Sequence, residues 1–169
     1  MSAGSRPGGG RRVPRRQFFH DPAAPAPEGL LPAAYAAVRN GQGEVLLVRR
    51  VDDGNWELPG GRVGIGESAS EMRGPRGGRG GWRGHQGDRR FRRVQRPGTR
   101  AGLSRGEVRQ QFAVCFHAWA VDRGVRPDLL ETSAAEWFHP DEALCLAMHP
   151  TMRERLNHAL TEPEHVHFD

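Results

Sequence analysis

Side chains able to do chemistry crowd into residues 56–71, WELPGGRVGIGESASE. Glu57, Glu67 and Glu71 bring three carboxylates, a group that serves as a general base or as an oxygen donor to a hard cation. Glu67 and Glu71 stand one helical turn apart, and acids in the first turn of a helix also suit its dipole. For Glu67 the structural and the chemical role weigh about equally. Glu71 is suited to solvent, and Glu57 to an ion pair with a loop or helix. Elsewhere the candidates are thinner. His117 lies inside an apolar run, where a histidine is more often structural or groove-lining than a base. Cys115 and Cys145 lack the CxxC spacing of a zinc or redox pair and suit buried thiols. His165 and His167 in the tail suit adventitious metal capture rather than a built site.

These residues need elements to hold them. Trp56, Glu57 and Leu58 fit the end of a short strand, and Pro59, with no N–H to give, stops it. Gly60 and Gly61 allow a tight turn or a close backbone approach. After a loop over 62–66, a helix is expected to begin at Glu67. Upstream, 30–39 (LLPAAYAAVR) is strand-like in its second half, 40–43 (NGQG) is a turn and 44–51 (EVLLVRRV) a strong strand. Together they predict a hairpin with a four-residue connection. Downstream, 107–121 (EVRQQFAVCFHAWAV) predicts a long strand. Phe112, Val114, Phe116 and Ala118 share one face, while Gln111, Ala113, Cys115, His117 and Trp119 share the other. A turn over 122–128 precedes a second strand near 135–138. Pro140, Asp141 and Glu142 suit a helix start. Met152, Leu156 and Leu160 recur at i,i+4 on a closing helix over about 152–160.

Composition divides the chain. Lysine is absent, and the formal charge of +5 rests on 25 arginines. Eleven of these lie in 72–105 and five in the first 16 residues, so the rest of the chain is acidic. The pI of about 10.7 is therefore a local property, not a sign of a nucleic-acid-binding surface over the whole molecule. Residues 1–29, rich in Gly, Pro, Ala and Arg, are expected to be a disordered basic tail. Residues 30–160 form the expected domain, and 161–169 a polar tail. No apolar run approaches about 18 residues, so no membrane span is expected. Without an apolar signal core, a soluble cytoplasmic protein is the default expectation.

Within that domain, 72–105 contradicts its surroundings. The segment should continue the helix begun at Glu67, yet 74–84 reads GPRGGRGGWRG. Each interior glycine costs a helix about 1 kcal/mol relative to alanine and a proline about 3. The stretch RRFRRVQRPGTRAG that follows has neither helical nor strand period.

The unit of strand, diglycine, loop and acidic helix start resembles the opening of the Nudix hydrolase signature, GX5EX7REUXEEXGU. Gly61 and Glu67 match its first glycine and first glutamate, and ELPGG resembles the usual lead-in. Segments 106–112 (GEVRQQF) and 134–144 (AAEWFHPDEAL) resemble the family's later strand and strand-to-helix passage. The family pattern then requires Arg, Glu, Glu and Glu at 75, 76, 79 and 80, where this chain has Pro75, Arg76, Arg79 and Gly80. The head of the signature is present and its metal-binding tail is absent.

The matching flanks keep the correct separation, which points to a reading-frame shift between about 72 and 105 rather than an insertion. Read one nucleotide later, glycine and arginine codons before a G-initial codon become GNG, encoding Val, Ala, Glu or Gly. The shifted reading of 75–83 permits REVAEEVGV in one register. Trp82 has a single codon, so its shifted triplet is GGN and glycine is forced at the slot where the signature demands it. Residues 94–99 likewise permit YSDPGH. The other shifted residues are permitted rather than forced.

The resemblance implies an α/β fold, the Nudix-like α/β/α sandwich with a mixed sheet, its central helix disrupted after about residue 71. It implies Mg2+- or Mn2+-dependent hydrolysis of a nucleoside diphosphate linked to another moiety, with a nucleotide-like small molecule as partner. It places Glu67 in the catalytic role and Arg49, Gly60, Gly61 and Glu107 beside the substrate. It assigns no metal ligand in the literal chain, where activity is expected to be negligible. Two alternatives stay open: RNA binding through the Arg/Gly-rich segment, with Trp82 or Phe91 stacking on bases, and a catalytically dead nucleotide-binding scaffold.

Overall fold

A computed structural model describes residues 16–67, 99–102, 107–120, 125–127 and 129–161. Eight strands among them form one mixed sheet: β1 (Arg16–Phe19), β2 (Leu30–Arg39), β3 (Val45–Arg50), β4 (Trp56–Glu57), β5 (Gly60–Arg62), β6 (Thr99–Gly102), β7 (Val108–Trp119) and β8 (Thr132–Phe138). Two helices follow, α1 (Pro140–Cys145) and α2 (Pro150–Thr161).

β2 is the centre of the sheet. It runs parallel to β7 from Leu30 against Gln110 to Arg39 against Trp119. Alanine is a weak strand former in isolation, yet Ala33 to Val38 are all buried. Cover on both faces decides the matter. Ala33, Tyr35 and Ala37 join Ala113, Cys115, Met152 and Leu156 in the larger core, while Ala36 and Val38 join Leu46 and Ala118 in the smaller one. The two faces anticipated for β7 divide in this way, with Ala113 and Cys115 in one core and Ala118 in the other. Complete burial of a Leu or Val side chain contributes roughly 1.5–3 kcal/mol, and Val45, Leu46, Leu47, Leu58 and Leu156 are all enclosed to this degree.

On its other side β2 meets β3 only at the hairpin, where Arg39 pairs with Val45. Asn40 closes that turn, its Oδ1 accepting from the N–H groups of Gln42 and Glu44 at 2.9 and 3.1 Å. Beyond the turn the two strands part. β4 takes the side of β3, with Trp56 opposite Arg49 and Glu57 opposite Val48, and β5 takes the side of β2. The far edge of β3 carries β8. Segment 56–62 therefore fills a fork in the sheet.

Two stretches differ from expectation. Residues 16–29 are described as strand and loop rather than a disordered tail; β1 pairs with β6, and Phe18 is buried. The aromatic pair Phe18–Phe19 supplies the apolar content that overall composition hid. Thr99–Gly102, without strand period, nonetheless pairs antiparallel with β7. A strand edge can recruit a partner through backbone hydrogen bonds alone. The disruption expected after residue 71, residues 72–98 of the segment expected to be frame-shifted, and the tail from 162 lie outside the described residues.

Candidate functional site

The fork gives the diglycine its reason. Gly60 and Gly61 have φ of +153° and +154°, values that side-chain-bearing residues rarely adopt. Gly60 also lies flat against β2. A Cβ there would come within 2.2 Å of the Ala34 carbonyl oxygen and 2.6 Å of Tyr35 Cα. At Gly61 a Cβ would meet nothing within 4 Å. Pro59 contributes its carbonyl, which accepts from Ala36 N–H at 2.8 Å. Leu58, fully buried, anchors the turn from below.

The turn sends the chain along β2 toward its start. Arg62 pairs with Ala33, and Val63 N–H donates to Pro32 O at 3.0 Å. A turn at 64–67 then presents Glu67, which is exposed. Its Oε2 accepts from Gly64 N–H at 3.0 Å while its own N–H donates to Gly64 O at 3.2 Å. Glu107 lies toward the same end of β2 but on the opposite side, ahead of Val108, whose carbonyl accepts from Glu28 N–H. Its carboxylate is paired with Arg109 at 3.0 Å. Arg49 sits across the fork on β3, exposed, with its Nε donating to Gly54 O at 3.0 Å. The structure thus gathers Gly60, Gly61 and Glu67 on one continuous path and leaves Arg49 on β3 and Glu107 just ahead of β7.

Glu57 has an ion pair, but its partner is Arg50 at the end of strand β3 rather than a residue of a loop or helix. Arg50 reaches it at 3.1 Å and also grips Asp52 with two bonds, Nε to Oδ1 at 2.7 Å and a terminal nitrogen to Oδ2 at 2.5 Å. Burial alone would lower the Arg50 pKa, but the Asp52 and Glu57 carboxylates outweigh it and hold the guanidinium charged. The clasp locks the 51–55 loop and β4 onto the end of β3, where the ladder shifts register between Arg49 and Arg50. Sequence inspection missed Arg50 because two adjacent arginines at a strand end look alike. Only the register shift distinguishes the exposed one from its half-buried neighbour.

A second polar group lies between the sheet and α2. Arg155 is 6% exposed, and it stands 5.0 Å from the Tyr35 ring centroid. One of its terminal nitrogens donates to Gln111 Oε1 at 3.1 Å, while Gln111 Nε2 donates to Tyr35 Oη at 3.1 Å. Cys115 lies in the same layer, and burial pushes its thiol up to about 11 despite the opposing charge of Arg155. This is the bland role expected of Cys115. Cys145 is exposed.

The donor set does not fit a divalent ion. Among the described residues no group of three or more His, Cys, Asp and Glu is placed to hold one. The Asp52 and Glu57 carboxylates are engaged by Arg50, that of Glu107 by Arg109, and that of Glu67 by its own loop. Positions 75, 76, 79 and 80 lie outside the described residues and carry no acid in the sequence.

Comparison with known proteins agrees with this architecture. Residues 29–71 match the NUDIX domain. No curated protein matches the chain by sequence. Among solved structures, the MutT protein from Methanosarcina mazei Go1 superposes with a TM-score of 0.56 at 22% identity, covering 81% of this chain and 97% of its own. A NUDIX-family hydrolase from Clostridium perfringens gives 0.53 at 11% identity, covering 79% and 97%. An ADP-ribose pyrophosphatase from Streptococcus suis gives 0.52 at 18% identity, covering 82% and 96%. At these identities the likeness establishes the fold.

Proposed function

We propose that this chain, whose residues 29–71 match the NUDIX domain, derives from a hydrolase of nucleoside diphosphates linked to another moiety, severely impaired in the literal sequence. The observation that carries this reading is the forked sheet, with Gly60 pressed on Tyr35 and the chain led out to Glu67. In the sequence that follows, the signature's acidic positions 76, 79 and 80 are occupied by Arg, Arg and Gly. The working unit is taken as residues 30–160, with β1 and β6 extending its sheet.

A carboxylate-rich helix at this place would hold Mg2+ or Mn2+, and the cation would neutralise the pyrophosphate. The literal chain substitutes positive charge and glycine there, so no step through a metal is derived for it. Among the residues that remain, Glu67 is the candidate catalytic carboxylate. Gly60 and Gly61 set the backbone beside the substrate, and Arg49 and Glu107 are candidates for its outer contacts.

The test has two arms. Sequencing of codons 70–106 is expected to show A at the third base of codons 76, 79 and 80, because GAG requires it. Purified literal protein, with Arg76, Arg79 and Gly80 confirmed by mass spectrometry, is expected to show negligible Mg2+-dependent turnover of nucleotide sugars, dinucleotides, ADP-ribose and oxidised nucleotides. The protein translated from the re-registered frame is expected to hydrolyse at least one of them. Near-normal turnover by the literal protein overturns the impairment, and an inert re-registered protein overturns the hydrolase ancestry.

A further inference from the structure

The start of α2 carries a device the proposed hydrolase does not use. His149 precedes Pro150 and occupies the cap position. Its carbonyl accepts the first helical bonds, from Met152 N–H at 2.9 Å and Arg153 N–H at 3.1 Å. Its ring turns back on the helix, with Nδ1 2.8 Å from Thr151 Oγ1 and 3.4 Å from Thr151 N. A backbone N–H can only donate, so Nδ1 must present its lone pair, and the ring proton belongs on Nε2. Thr151 is buried, so its N–H has no water to turn to if that lone pair is lost.

The same corner holds the fork closed. Ala147 O, two residues before His149, accepts from Trp56 N–H at 2.8 Å, and Met148 bridges Trp56. Trp56 also meets the Phe138 ring edge-on at 4.9 Å. The cap of α2 and the docking of β4 therefore share one short connector.

We propose that His149 is an acid-sensitive latch, whose protonation uncaps α2 and releases the Trp56 strand from the α1–α2 connector. A proton on Nδ1 would oppose the Thr151 N–H head-on. The charge would also sit at the positive end of the helix dipole, one turn and a half from Arg155. Arg155 is buried and has no ion pair among the described residues to screen it. From the β3–β4 loop, Asp53 acts in the other sense and favours the proton; from β1, the uncharged Phe19 ring comes near, at 6.3 Å. Burial and Arg155 outweigh Asp53, so the His149 pKa is lowered. A lowered pKa leaves the latch intact above the ordinary histidine range and opens it as pH falls through the folded value.

The experiment follows the full-length protein between about pH 7.5 and 5 by histidine and indole NMR signals, with thermal unfolding at each pH. The His149 signal is expected to titrate below about 6.5, the unperturbed histidine value, and the Trp56 indole signal to move with the same midpoint. His149→Asn keeps a side-chain acceptor at the cap but does not titrate, so it should abolish the coupled Trp56 shift. Arg155→Gln should raise the midpoint. A His149 midpoint at or above 6.5, or a Trp56 transition unchanged in His149→Asn, overturns the proposal. Neither readout depends on hydrolytic activity, so the latch and the proposed function stand or fall separately.

Discussion

The two ends of segment 60–67 are held by different physics. At Gly60 the backbone of β5 lies so close to β2 that a single methyl group would collide with two backbone atoms. At Glu67 the side chain is exposed and, among the described residues, bonded to its own turn. Both residues belong to one recognisable motif, yet packing demands the first and leaves the second free. The fold itself enforces Gly60, while no packing among the described residues requires a carboxylate at position 67. A solvent-facing acid such as Glu67 contributes little to stability.

The sharpest way to break this contrast is to add one methyl to each glycine. Gly60→Ala combines positive-φ strain of about 1–3 kcal/mol with overpacking of about 1–3. Chemical denaturation is expected to show a loss of about 2–6 kcal/mol. Gly61→Ala carries the strain alone, since its Cβ would enter open space, and should cost about 1–3 kcal/mol. Equal losses at the two positions would show that backbone conformation, and not close approach to β2, sets the turn.

Arg50 tests the same wall from the β3 side. Its side chain is 15% exposed and those of Asp52 and Glu57 are 13% and 12%, so removing the cation leaves two poorly solvated carboxylates together. Arg50→Met is expected to cost about 3 kcal/mol. Arg50→Lys, with charge but no planar fork, should recover part of it. Indistinguishable denaturation midpoints for the wild type and Arg50→Met would remove the clasp from the account of how β4 is held.

How far the sequence disclosed the molecule follows the same division. Elements whose signal is local were legible: the β2–β3 hairpin around Asn40, the alternating faces of β7, Pro140 opening α1, and Met152 and Leu156 on α2. Elements that exist through a distant partner were not. Gly60–Arg62 has no strand propensity and pairs because β2 leaves an open edge beside the fork. Thr99–Gly102 and Arg16–Phe19 likewise pair along the β7 side. Arg155 resembles one more polar residue on an amphipathic helix, and Tyr35 and Gln111, 120 and 44 positions away in sequence, explain how its charge is buried. Of the candidate site, the turn was legible because glycine is a backbone statement. The engagement of Glu57, Glu107 and Arg49 was not, since each depends on which neighbour reaches it first.

Cys115 offers an effect confined to alkaline pH, on the packed side alone. Its thiol is raised from an ordinary 9.0 to about 11, so the folded protein keeps a proton that the unfolded chain gives up above pH 9. Stability from this group is fully present below that pH and is lost as pH rises toward 11, by about 3 kcal/mol in total. Cys115→Ala should therefore show a shallower alkaline decline than the wild type when both are unfolded by denaturant from pH 8 to 11. Parallel declines would mean that the thiol is less enclosed than the β2–β7–α2 layer requires.

The smallest expected effect falls on the residue with the greatest chemical interest. Glu67→Gln preserves an oxygen acceptor for Gly64 N–H, and an exposed substitution of this kind stays within about 0.5 kcal/mol of the parent. Stability should not register the change. In the protein translated from the re-registered frame, the same substitution removes the negative charge that a catalytic carboxylate supplies, and turnover should fall while the denaturation midpoint stays fixed. A shift in midpoint matching the loss of turnover would place Glu67 with Gly60, among residues kept for packing. A loss of turnover alone would separate the two ends of the segment by function as well as by structure.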